Sequence, residues 1–301
     1  MYKLFLTALA GLLVACTQNS SEALQISESQ PSVQIEDISP ITIDRVGNQA
    51  GQTLVLIPGL ASDKSVWNET VNAFSDYDIR LVQVGGFAGA VAPDGQSIEK
   101  VSAAIIEHLN DTPGQNTTLI GHSLGGYLSL NIALEAPDLI DEIIVVDSLP
   151  YLAGMMMPGA TPEQAAQMAQ GMSAQMKAMS KAQFQAQQKM GLARLVKDKS
   201  YLPTLESWSE TSEQAVIADL ISALLSADLR NDLSSLTIPT TVLMAYDPSM
   251  GVPQVQLKSL FEAQYSQAPD VKIEVIQDSY HFIMIDQTEV FKEVIRNILE
   301  N

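Results

Sequence analysis

Hydrophobic positions along the chain follow two periods in turn. Short β-branched runs with no polar interruption alternate with stretches in which apolar residues recur every three or four positions, the pattern of a mainly parallel sheet covered by helices. Val33 to Glu36 and Ile41 to Val46 read as leading strands forming an antiparallel opening. Thr53 to Ile57 is an apolar run stopped by Pro58-Gly59 and reads as the first deeply buried strand, and Ile79 to Val84 is another, ending at Gly85-Gly86. Ser97 to Leu109 carries Ile98, Val101, Ile105 and Leu109 at helical spacing. Thr117 to Ile120 then predicts a strand, with a helix over Leu124 to Leu134 beginning almost at once. Further strands are expected at Ile143 to Val146, Thr240 to Ala245 and Lys272 to Ile276, with a helix over Val255 to Tyr265 between the last two. A closing amphipathic helix runs from Thr288 to Leu299, with Val290, Phe291, Val294, Ile295 and Ile298 on its apolar side.

Between Pro150 and about Thr237 the strand signal disappears and the chain becomes rich in Gln, Ala and Met. Thr161-Pro162-Glu163-Gln164 offers an N-cap, a proline at the first helical position and a capping-box partner. Met168, Met172, Met176 and Met179 recur at helical spacing and predict a stripe packed onto the rest of the domain, or the flexible lining of a pocket. Met155, Met156 and Met157, beside an expected hinge at Gly154 and Pro158, are the better candidates for a pocket wall. The organisation expected is therefore a leader over 1–15, a tether over 16–32, an α/β core over 33–149 and 238–301, and a helical cap over 150–237.

Composition changes this picture at the N-terminus. Lys3 followed by an apolar run from Leu4 to Val14 is too short to span a bilayer, which takes about 20 residues, and reads as an export signal. The only cysteine of the 301 residues, Cys16, follows Leu13-Val14-Ala15 and so resembles the lipobox of bacterial lipoprotein precursors. That resemblance implies lipidation of Cys16, cleavage before it and anchoring to a membrane; Thr17 resembles the residue that sends such proteins to the outer membrane where the cell has two. An ordinary cleaved signal is the alternative. With 16 Lys+Arg against 35 Asp+Glu, the net charge of −19 repels nucleic acid and anionic headgroups and excludes them as expected partners. Nothing in the pattern sets an oligomeric state.

The candidate chemistry centres on Gly121-His122-Ser123-Leu124-Gly125, a G-x-S-x-G motif extended by Gly126, with a buried strand before it and a helix directly after it. A serine hydroxyl must stand clear of the backbone on a sharp turn, and small residues on either side let strand and helix approach. The helix N-terminus favours negative charge forming nearby. Together with the earlier LVLIPGL and the late DSYHFIMIDQTEVF, the motif resembles the α/β-hydrolase superfamily from about Ser32 onward. The resemblance implies an α/β fold with a mostly parallel central sheet flanked by helices, a helical cap insertion, and Ser123 as a nucleophile.

Only three histidines can supply a base. His108 sits late in a helix, and His122 points to the opposite side of the segment carrying Ser123. His281 lies in a loop after the last strand, where the family places its base. For the carboxylate, Asp247 gives the order Ser, Asp, His expected for the fold, one position earlier than the commonest family spacing, with Pro248 in the usual place. Asp147, at the end of the preceding strand, is the alternative acid, and Asp278 the remaining one. The resemblance further implies an oxyanion hole from the backbone N–H groups of Leu60 and Leu124. Pro58 replaces the His of the His-Gly form frequent in relatives, and the Gly85-to-Gly89 turn most simply permits tight backbone packing. No metal-ligand cluster or nucleotide-binding motif is visible, so no cofactor is expected. The expected reaction is hydrolysis of a carboxylic ester, neutral by preference, through an acyl-enzyme. Thioesterase, amidase, lactonase or acyltransferase chemistry would use the same residues, and a non-catalytic binding protein on this scaffold is the alternative of a different class.

Overall fold

Seven strands form one sheet in a computed structural model that describes residues 38–300 apart from Pro158. The leader, Cys16, the tether and the strand expected at 33–36 lie outside the described residues. The strands are β1 (Ile41–Gly47), β2 (Thr53–Ile57), β3 (Asp78–Val84), β4 (Thr118–His122), β5 (Glu142–Val146), β6 (Thr240–Tyr246) and β7 (Val271–Gln277). Their order is β1-β3-β2-β4-β5-β6-β7, with β1 antiparallel to β3 and every other pair parallel. This is the α/β-hydrolase architecture that the resemblance implies.

The uninterrupted apolar runs occupy the middle of the sheet because both of its faces are covered. In β2, Val55 and Ile57 point to the face covered by α2 (Ile98–Asp111) and α3 (Leu124–Glu135), while Leu54 and Leu56 join Trp67, Phe291 and Ile295 on the other. The Trp67 and Phe291 rings stack with centroids 6.1 Å apart, which fastens the chain's last helix to the start of α1 (Asn68–Ala73). That last helix, α11 (Thr288–Leu299), follows the one-turn α10 (Ile283–Asp286). It buries Phe291 and Ile295, but Val290, expected on the apolar side, is 42% exposed. The edge strand β7 alternates half-buried Ile273 and Val275 with exposed Lys272 and Glu274, as an edge with one covered face should.

Five α-helices lie between β5 and β6 among the described residues: α4 (Leu152–Met156), α5 (Pro162–Ala178), α6 (Lys181–Leu192), α7 (Leu202–Thr211) and α8 (Gln214–Ser226). Helix α9 (Gln254–Gln264) joins β6 to β7. Thr161 and Gln164 close a reciprocal capping box at the start of α5. The buried face of α5 is made of Ala165, Ala169 and Ser173 rather than the methionines, and Met168 is 51% exposed. Small side chains at i, i+4 and i+8 let α5 lie close against α8, and Met172, Met176 and Met179 only fill the flanks. Met155 is about one-third and Met156 about one-half exposed (36% and 53%), and Met157 is partly buried against the α5/α8 cluster.

Candidate functional site

Parallel register brings the C-terminal ends of β2, β4 and β5 together, Gly121 pairing with Ile57 on one side and Val145 on the other. Chains leave β4 abruptly there. Ser123 has φ 53° and ψ −114°, and the next residue, Leu124, already opens α3. For a residue with a side chain this backbone costs of order 1–3 kcal/mol, so the surroundings must impose it. They do so by close approach: a Cβ on Gly121 would lie 2.1 Å from the Gly125 carbonyl oxygen, and one on Gly125 2.2 Å from that of Ile57. Only glycine lets α3 start so near the sheet. The Ser123 N–H donates to the Val146 carbonyl (2.9 Å), and Gly126 and Tyr127 donate to the Ser123 carbonyl, so the turn is held on both sides and the partly exposed hydroxyl projects from it.

Two main-chain segments flank this hydroxyl. Leu124 is the first residue of α3, where an N–H has no intrahelical acceptor and the helix dipole favours negative charge. Leu60 follows Pro58-Gly59 at the end of β2, and a Cβ on Gly59 would stand 3.2 Å from the Ser123 Cβ, so the Leu60 loop passes directly beside the serine.

His281 meets Asp147, not Asp247. Its Nδ1 lies 2.7 Å from Asp147 Oδ2, with both side chains about four-fifths buried (23% and 17% exposed). Asp147 has φ 47°, donates its N–H to the Leu243 carbonyl (2.8 Å) and accepts at Oδ1 from the Ala245 N–H (2.9 Å), leaving Oδ2 for the imidazole. A proton on Nδ1 facing the carboxylate leaves Nε2 with its lone pair as the open nitrogen.

The expectation for Asp247 is corrected by its surroundings. Pro248 starts a 3-10 turn that Asp247 caps, so Oδ1 accepts from the Ser249 N–H (2.8 Å) and hydroxyl (2.5 Å), while Oδ2 takes Lys197 Nζ (2.7 Å). Hydrogen bonds from Lys197 first, and then Ser249, pull its pKa down to about 2. Asp278 is exposed, and its carboxylate lies 3.5 Å from Lys197 Nζ rather than against His281.

The other two histidines have separate roles. His108 is half-buried against the Thr112 hydroxyl (3.1 Å). His122 is 1% exposed, and its Nε2–H donates to the His281 carbonyl at 3.0 Å, with the two rings 4.5 Å apart. Burial first, and the neighbouring His281 second, hold His122 well below the ordinary imidazole range, so it is neutral. The Gly85-to-Gly89 turn seats the α7–α8 junction: Glu213 N–H donates to the Gly86 carbonyl (2.8 Å), Gly89 N–H to that of Thr211 (3.1 Å), and a Cβ on Gly86 would stand 2.7 Å from Val216.

Sequence reasoning missed Asp286. Its carboxylate accepts from the N–H groups of Tyr280 (2.8 Å), Lys197 (2.9 Å) and Asp198 (2.9 Å), joining the His281 loop to the segment before α7. Nothing local marks it except a lone acid after Phe282-Ile283-Met284-Ile285. Among the described residues, no group of three or more His, Cys, Asp and Glu side chains could hold a metal.

Comparison with known proteins agrees with this architecture. The family described as the alpha/beta hydrolase fold matches residues 52–288. A pimeloyl-[acyl-carrier protein] methyl ester esterase of Vibrio parahaemolyticus is 25% identical over 258 residues, covering 83% of this chain and 95% of its own. A Serratia proteamaculans protein named for carbamate hydrolysis, RutD, is 27% identical over 202 residues, 65% of this chain and 73% of its own. Among solved structures, a bromoperoxidase from Bacillus anthracis superposes with a TM-score of 0.72 at 18% identity, covering 87% of this chain and 95% of its own.

Proposed function

The chain belongs to the α/β-hydrolase fold family, and from that premise we propose that it is a serine esterase whose nucleophile is Ser123, whose base is His281 and whose acid is Asp147. The observation that carries this reading is the 2.7 Å contact between His281 Nδ1 and Asp147 Oδ2, at the same strand ends as the turn that exposes Ser123. His281 Nε2 takes the Ser123 proton as the hydroxyl attacks the ester carbonyl. Asp147 holds the imidazole tautomer and stabilises the imidazolium that forms. The oxyanion is received by the N–H groups of Leu124 and Leu60, each worth about 10²- to 10³-fold in rate in sites of this kind. His281 then returns its proton to the leaving alcohol, and water, deprotonated by the same nitrogen, frees the acid from Ser123.

The preferred substrate is a free, neutral ester of short or medium acyl chain. The name of the Vibrio relative supports ester cleavage, and the net charge of −19 disfavours anionic partners. Carbamate cleavage by the same three residues is the second reading, supported by the name of the Serratia relative. Helices α4–α8 serve as the cap over the acyl group. Residues 1–15 export the chain, and a lipid on Cys16 holds it to the bacterial envelope. Initial rates on p-nitrophenyl esters of increasing chain length, for the protein and its Ser123→Ala variant, test the assignment. Turnover that disappears in the variant supports it, and equal turnover in both refutes it.

A further inference from the structure

Three main-chain groups bracket the His281 imidazole, and each has its own partner. The Tyr280 N–H donates to Asp286 Oδ2 (2.8 Å), the His281 carbonyl accepts from His122 Nε2 (3.0 Å), and the Phe282 N–H donates to the Leu195 carbonyl (3.2 Å). Two of these three ties lead to one short segment, residues 195–198, which belongs to the insertion between β5 and β6. Asp286 is the hub. It sits at the end of α10, five residues past His281, and its Oδ1 takes the N–H groups of Lys197 and Asp198 (both 2.9 Å) while Oδ2 reaches back to Tyr280. A half-buried carboxylate with three main-chain donors makes charge-assisted bonds about twice as strong as neutral ones.

We infer that Asp286 is a positioning residue for His281: it fixes the base-bearing loop to the segment 195–198 of the cap, so that the imidazole is in register for proton transfer only while that segment is docked. The inference rests on His281 being the base. The Lys197 side chain reinforces the dock through Asp247, so the carboxylate one strand over from Asp147 serves the cap rather than the imidazole. A misplacement of about 1 Å at a reacting group costs on the order of 10²-fold, so loss of the hub should fall on the chemical step and not on substrate binding.

The test compares Asp286→Asn and Asp286→Ala with the unaltered protein on one p-nitrophenyl ester, well below the unfolding temperature of each. Ser123→Ala and His281→Ala are measured beside them, and full activity in either of those refutes the esterase assignment itself. With that assignment standing, the Asp286 variants should lose about 10- to 100-fold in kcat with KM changed less than about twofold. Their rate of inactivation by a serine-directed phosphonate should fall in parallel, and the downfield proton signal of the His281–Asp147 contact should weaken. Unchanged kcat, or a rise in KM alone, overturns the positioning role. Amide exchange in the unaltered protein gives a reading that needs no variant: Tyr280, Lys197 and Asp198 should be protected together, and open-loop exchange at Tyr280 refutes the hub.

Discussion

The ends of β5 and β6 invite direct comparison. Each strand is a buried apolar run, each is followed at once by an aspartate, and each aspartate has a serine within two residues. At the end of β5 the backbone of Asp147 turns into the left-handed region at φ 47°, one carboxylate oxygen is taken by the Ala245 N–H, and the other is left for His281. At the end of β6 the backbone of Asp247 stays extended (φ −141°, ψ 135°), and Ser249 and Lys197 occupy both oxygens. Position in chain order does not decide which carboxylate meets the imidazole. The decision lies in the backbone turn that aims each carboxylate and in the local donors that saturate it.

The comparison breaks most sharply by removing one charge at a time. Asp147→Asn should reduce kcat by roughly 10³- to 10⁴-fold, since an amide can stabilise neither the tautomer nor the imidazolium. Asp247→Asn should cost less than about tenfold, because it loosens a dock without touching His281. Steady-state kinetics on a single ester decide the order, and a larger loss in Asp247→Asn than in Asp147→Asn would return the acid to the end of β6.

Much of the fold is readable in the residues themselves, and the reason differs from element to element. Strands β2, β4, β5 and β6 are legible because the centre of a strand buried on both faces is apolar, as Leu119-Ile120 is in β4 and Val242-Leu243-Met244 in β6, and β7 because its single covered face leaves an alternation. Ser123 is legible from its glycines, which the approach of α3 to β2 requires. His281 stands out because only three histidines exist. The acid is hidden among 35 acidic residues: the positive φ at Asp147 has no signature in residue type, and Pro248 marks the turn after Asp247 without showing that Ser249 and Lys197 take up its carboxylate. Hydrophobic spacing also misdirects in α5, where the methionines outrank Ala165, Ala169 and Ser173 in apolarity but cannot let two helices come as close. Asp286 is invisible for a further reason: two of its three partners are main-chain N–H groups about ninety residues away.

Separating Lys197 from Asp247 sharpens the same contrast more gently. In Lys197→Met the carboxylate loses the first cause of its low pKa, so its titration should move upward from about 2 towards the ordinary value near 3.9. A carboxyl depressed in the folded state contributes stability above the unfolded pKa and loses it as pH falls through the folded one. The urea midpoints of the two proteins should therefore differ near neutral pH, with the variant lower, and converge between about pH 4 and pH 2. A constant difference down to pH 2 would mean that Lys197 acts through packing alone.

The smallest effect lies on the far side of His281, where His122 holds the carbonyl of the same residue whose imidazole Asp147 holds. Burial keeps His122 neutral in the folded protein, whereas the unfolded chain protonates it below about pH 6.5. The sign is fixed by which state binds more protons: below that pH the unfolded state does, so the folded protein loses stability as the solution is acidified. The slope attributable to this one group approaches about 1.4 kcal/mol per pH unit and levels off once the folded form also accepts the proton. His122→Gln keeps a side-chain N–H donor for the His281 carbonyl and removes the titration. Its unfolding free energy should thus decline less steeply than that of the unaltered protein between about pH 6.5 and pH 5. Parallel profiles would show that His122 takes up its proton within the fold, and the neutral donor holding the back of the base loop would have to be withdrawn.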